Sequence, residues 1–117
     1  NDGNGSLIAS ADCKSVPAGG FALFARSDLD TENGGLPVVD AEFSFSLVPA
    51  GDIEVRAGAV VLDNVAWTSA GSAVSTQVNP SFLTTTDNDV EANHCQANTP
   101  YGNMTNSGTP KAANVCP

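Results

Sequence analysis

Residues 40–48 read DAEFSFSLV, and within them Ala41, Phe43, Phe45 and Leu47 alternate with Glu42, Ser44 and Ser46. Successive side chains of a β-strand point to opposite faces, so a period of two puts the apolar set on one side and the polar set on the other. A helix, with about 3.6 residues per turn, would scatter the same residues around its circumference. The stretch predicts a half-buried strand. The next residues continue the theme: after the turn PAGD, Ile53 and Val55 alternate with Glu54 and Arg56, and Ala57 and Gly58 turn the chain into AVVLDNVAW, residues 59–67. That is the signature of a hairpin. Asp63 and Asn64 interrupt the alternation of its second arm, and a bulge there would return Val65 and Trp67 to the core side.

Shorter signals point the same way. FALFA, residues 21–25, is apolar on both faces, and VSTQV, residues 74–78, alternates until Asn79 and Pro80 end it. NDGNGS, VPAGG and TSAGSA are turn-forming. No segment shows a helical period with caps. The class is therefore all-β, with short strands about 8–12 residues apart, and a β-sandwich fits it best. With 117 residues, 1–117 is read as one domain able to bury a single core.

Charge excludes some partners. The chain has 13 acidic residues against 4 basic ones, a formal charge of -9, and Lys14, Arg26, Arg56 and Lys111 stand singly. Nucleic-acid binding draws on clustered Lys and Arg, so direct binding of DNA or RNA is disfavoured, as is an anionic membrane surface. No apolar run approaches the roughly 20 residues of a membrane-spanning helix, so membrane insertion is not expected. The chain starts at Asn1 without a Met or a signal-like segment, and the expectation is a mature piece of a longer precursor.

Three cysteines are present. Cys95 and Cys116 bracket a tail rich in Asn, Thr, Gly and Pro, and a bridge between them would contribute about 3 kcal/mol by restricting the unfolded chain. Such a bridge implies an oxidising compartment, hence a secreted or cell-surface location. Cys13 is left over, either as a buried thiol or as the partner, in an external disulfide, of a cysteine outside this chain. From about residue 80 the tail shows almost no period. It is read as an irregular lid, stapled by the bridge and stiffened at Pro100 and Pro110.

VPAGGFALFARS, then NGGLPVVDAEFSFSL, then GDIEVRAGAVVLDNVAW, then DNDVEANHC with TPYG and GTPKAANVC, in this order, resemble the bacterial lamin tail domain family over residues 16–116. The resemblance implies an immunoglobulin-like β-sandwich that serves exported proteins as a non-catalytic module, often beside extracellular nucleases or other hydrolases. Two departures accompany it. His94 stands where members usually place an aromatic residue, and the opening strand pair that members carry is absent. A sandwich lacking its opening strands leaves unpaired ladder groups and an uncovered core face, a template for a protein partner or for identical subunits. The alternative is a shorter sandwich whose edge is supplied by residues 1–10. Functionally, the expectation is a structural or interaction module that self-associates through an open sheet edge. The alternative is the accessory domain of a secreted hydrolase.

Catalytic signals are sparse. His94 is the sole histidine and adjoins a cysteine assigned to a bridge, so no catalytic residue and no enzymatic activity are expected. No cofactor is expected. Calcium is the exception to weigh: Asp28, Asp30 and Glu32 alternate before Gly34, as oxygen ligands do in a calcium loop, although Val39 stands where an EF-hand needs its bidentate Glu. Asp87, Asp89 and Glu91 form a second acidic group, and a solvated turn is the simpler reading of both. Asn4 and Asn103 head glycosylation-type sequons.

Overall fold

The computed structural model describes residues 15–117. These form short strands joined in pairs. β1 (Phe24–Ala25) runs parallel to β2 (Ala41–Glu42), and β3 (Gly51–Ala57) and β4 (Val60–Trp67) make an antiparallel hairpin. β5 (Thr76–Val78) pairs antiparallel with β6 (His94–Gln96), as β7 (Pro100–Tyr101) does with β8 (Asn106–Ser107). The helical content is one turn, α1 (Asp30–Asn33), and a 3-10 turn at Glu91–Asn93. The chain is strand-dominated, as the alternation predicts. Its sheets are small, each of two strands among the described residues.

The hairpin forms where it was expected. Its loop is Gly58 and Ala59, and Gly58 has φ 60, the first central position at which a type II′ turn takes glycine. Val55 opposes Asp63 but Arg56 opposes Val61, so Leu62 is the extra residue of a bulge one place before the predicted interruption. The slip keeps Ile53 opposite Val65 and Gly51 opposite Trp67 on one face, with Val55 farther along it. Trp67 is fixed by its indole N–H, which donates to the Val48 carbonyl at 3.1 Å.

The DAEFSFSLV stretch is corrected in extent. Phe43 and Phe45 are half-buried with ring centroids 4.7 Å apart, while Glu42, Ser44 and Ser46 are exposed, so the two-sided pattern holds as far as Phe45, and Leu47 is 49% exposed. The ladder stops at Glu42, after one further bond from Phe43 N–H to the Ala25 carbonyl. The reason lies in β1: two residues after it, Ser27 and Asp28 lead into α1, so the extended chain beyond Phe43 has no described neighbour to pair with.

The tail is also more regular than its composition implies, since it contains β6, β7 and β8. It acts as a frame. Cys95 and Cys116 are joined across 21 residues. Ala97 N–H donates to the Ser75 carbonyl, Ser107 N–H to Ala73, Gly108 N–H to Thr99, and the Asn114 side chain to Val78. The buried Gln77 amide accepts from Thr109 Oγ1 at 2.8 Å and Thr109 N–H at 3.1 Å, and donates to the Val115 carbonyl at 3.2 Å. Lys111 reaches Asp40 at 2.8 Å, so the frame extends to the β1–β2 pair, where Asp40 also accepts from Leu23 N–H. Burial follows the frame: among the described residues only Ala25, Gln77, Asn88, Ala97 and Gly108 are buried. Four of these five, all but Ala25, belong to the tail or its contact with β5, and none is a large apolar side chain.

Candidate functional site

Many of the large apolar side chains that would ordinarily close a core are exposed, and among the described residues none is fully buried. Ile53 is 45% exposed, Val55 54% and Val60 62%, on the hairpin face that also carries Val65 and Trp67, with Asp63 opposite Val55. Between this face and β5 lies a groove of about 540 Å³, walled by Ile53, Val65 and Trp67 on one side and Thr76, Gln77, Val78 and His94 on the other. Leu47, Val48 and Pro49 line it as well. Two sheets of a sandwich meet about 10 Å apart through interdigitated side chains. Here two strand pairs face a common groove that neither fills.

One flank of the hairpin is occupied. Asn88 donates to Asp63 at 2.8 Å, and Glu91 accepts from Thr68 N–H at 2.8 Å and Thr68 Oγ1 at 2.6 Å, so the 87–91 segment lies along β4. His94 closes that corner. The Asn88 carbonyl can only accept, so His94 Nε2, 2.8 Å away, carries the proton and donates, leaving Nδ1 buried without a partner among the described residues. No described backbone group outside β4 bonds to β3.

The contacts of Glu91 move its acidity. Its pKa is lowered from 4.5, first by the Thr68 hydroxyl, then by the Thr68 N–H, with a smaller contribution from His94 and burial opposing. A carboxyl lowered on folding stabilises the fold above its unfolded pKa, and that contribution is lost as pH falls through the lower folded value. Glu91→Gln should therefore lower the melting temperature slightly at pH 7 and leave it unchanged near pH 3. Thermal scans at the two pH values test this, and an equal shift at both would assign the effect to packing.

The calcium candidates do not converge. Asp30 and Glu32 sit on α1, where side chains two apart point about 200° away from each other. Asp28 precedes the turn, its N–H donating to Glu42 Oε1 at 2.8 Å. Among the described residues no three His, Cys, Asp or Glu side chains are grouped as a metal site would need. The NGG segment docks the tail. Asn33 Oδ1 accepts from the N–H groups of Gly35 and Leu36, and the Gly34 carbonyl accepts from Asn103 N–H at 3.1 Å. Gly35 and Gly102 are so close that a β-carbon on Gly35 would lie 2.9 Å from the Gly102 α-carbon. The sequence signal nearest that contact was Gly34 closing the acidic stretch, whose simpler reading was a solvated turn rather than a docking surface.

Of the other site residues, Cys95 and Cys116 are joined, so neither presents a thiol, and Cys13 lies outside the described residues. His94 contacts Asn88 and the groove wall, and its hydrogen bond is to a backbone carbonyl. Asn103 is exposed, with its Oδ1 accepting from Thr105. Among the described residues no helix is long and apolar enough to cross a membrane. No family model, curated protein or solved structure matches the chain.

Proposed function

We propose that the chain is a non-catalytic association module of the extracellular space or cell surface. In this reading it is an immunoglobulin-like sandwich whose open side is completed by a protein partner or by identical subunits, without direct contact to nucleic acid. The apolar strip on the hairpin carries the proposal: Val60, Val55 and Ile53 run along one face into the groove beside Val65 and Trp67, and the charged residue on that face, Asp63 opposite Val55, is bonded to Asn88. Exposed contiguous apolar surface is characteristic of interaction sites. The Cys95–Cys116 bridge supports an oxidising compartment.

The test combines sedimentation with binding of a hydrophobic dye across about 1–200 µM, a range in which interfaces of standard size associate. The chain is expected either to self-associate or, as a folded monomer, to bind the dye. Replacing both Val55 and Val60 by Lys should at least halve whichever signal is seen, without loss of the native near-ultraviolet spectrum. A folded, dye-silent monomer would contradict the proposal.

A further inference from the structure

We infer that Asn103 is an acceptor for an N-linked glycan, transferred to it from a lipid-linked sugar diphosphate. This rests on the extracellular part of the reading above and goes further by naming a modified residue and the chemistry of its donor.

The sequence narrows the choice. An Asn-x-Ser/Thr triplet with x other than proline is the acceptor motif, and its bulky occupant demands an exposed loop. Among the asparagines of the described residues, Asn103 alone heads such a triplet, Asn103-Met104-Thr105. Asn79-Pro80-Ser81 is its natural counterpart: the spacing is the same, but proline fills the middle place.

The fold puts the triplet within reach of an enzyme. Asn103, Met104 and Thr105 lie in the loop between β7 and β8, and all three are exposed. The loop is held by its backbone. Met104 N–H donates to the Tyr101 carbonyl at 2.9 Å and Asn103 N–H to the Gly34 carbonyl at 3.1 Å. The Asn103 amide is bonded on its oxygen side: Oδ1 accepts from Thr105 N–H at 3.2 Å and Thr105 Oγ1 at 2.6 Å, while Nδ2 has no partner among the described residues. Thr105 Oγ1 accepts in turn from Asn106 Nδ2 at 3.4 Å, so its own proton is the one given to Asn103.

That arrangement suits the transfer. An amide nitrogen is a poor nucleophile because its lone pair is shared with the carbonyl. As Nδ2 attacks the anomeric carbon of the sugar, the N–C bond forms and the C–O bond to the diphosphate breaks. One amide proton passes to a base of the transferase, and the lipid diphosphate departs as the leaving group. Negative charge builds on Oδ1 as that proton leaves, and the two donors already placed there stabilise it. No described hydrogen bond ties residues 102–105 to β3 or β4, so the glycan breaks none of the hairpin's bonds.

The test is the intact mass of the full chain secreted by cells whose export pathway holds an oligosaccharyltransferase, with glycopeptide mapping and a thiol assay on the same material. Asn4 heads the chain's other sequon, so each position is mapped separately. The peptide containing Asn103 is expected to carry an oligosaccharide that a peptide amidase removes, leaving an aspartate. Asn103→Gln and Thr105→Ala should each abolish the addition, Thr105→Ser should keep it, and Asn79 should stay bare. The inference is overturned if Asn103 is unmodified in the secreted chain, or if its modification survives Thr105→Ala. The thiol assay separates the two levels. An unmodified Asn103 in a chain whose Cys95 and Cys116 are bridged overturns the glycan while retaining the extracellular reading. An unmodified Asn103 with both thiols free overturns both.

Discussion

Gly102→Ala is expected to destabilise the chain by about 2–4 kcal/mol, the sum of a left-handed alanine and an overpacked contact. Gly102 has φ 53, and a β-carbon there would run into the backbone carbonyl oxygens of Gly34 and Gly35. Neither oxygen belongs to a flexible side chain, so the tail must move away from α1 and the Asn103 N–H bond to Gly34 is lost with it. Gly58→Ala is the internal control. Gly58 has φ 60, but a β-carbon there meets nothing within 4 Å, so only the conformational cost of about 1–2 kcal/mol applies. Equilibrium unfolding of both variants isolates the docking contact as their difference. Equal losses would mean that the tail does not rest on Gly34 and Gly35.

Removing the Cys95–Cys116 bridge by a double change to Ala should cost about 3 kcal/mol, from the freedom returned to the unfolded chain. For a domain of this size that corresponds to a fall in melting temperature of about 10–20 °C. The loss should be unusually visible here, because the packed part of the molecule is the tail itself. Cys95 lies in β6, and Cys116 closes the segment whose Asn114, Thr109 and Ser107 hold β5 and its flanks. Limited proteolysis of the double variant should cut between residues 97 and 117 before it cuts the hairpin. Cleavage that starts in the hairpin loop in both forms would show that the tail frame survives without its bridge.

Much of the hairpin was legible in the sequence because its determinants are local. Ile53 and Val55 alternate with Glu54 and Arg56, Gly58 supplies the turn, and the Asp63–Asn64 interruption announced a bulge that falls at Leu62. The cysteine pair was legible because both residues bracket one segment. DAEFSFSLV showed its two faces but not the length of its ladder, since pairing depends on β1, whose two residues carry no signal of where they stop. The conformation of the acidic loop was hidden for a related reason. Alternation of Asp28, Asp30 and Glu32 implies a common direction only if the chain is extended, and α1 turns Asp30 and Glu32 apart. Gly34 and Gly35 could not be read as a docking surface, because their partner, Gly102, is remote in sequence. The groove was anticipated only as an uncovered core face. Its walls come from β3, β4, β5 and β6, and no pattern within any one of them reports that the space between is unfilled.

The most direct test of an uncovered hairpin held beside a polar frame is residue-resolved amide hydrogen exchange on the oxidised chain alone. The slowest amides should be those of Ala97, Ser107 and Gly108, which the tail bonds across the structure. Amides of β3 and β4 should exchange markedly faster even where they pair with each other, because a ladder that is two-stranded among the described residues and has an exposed apolar face opens readily. Hairpin amides as slow as those of the frame would mean that the face is already covered in the isolated chain, and the central claim would fail.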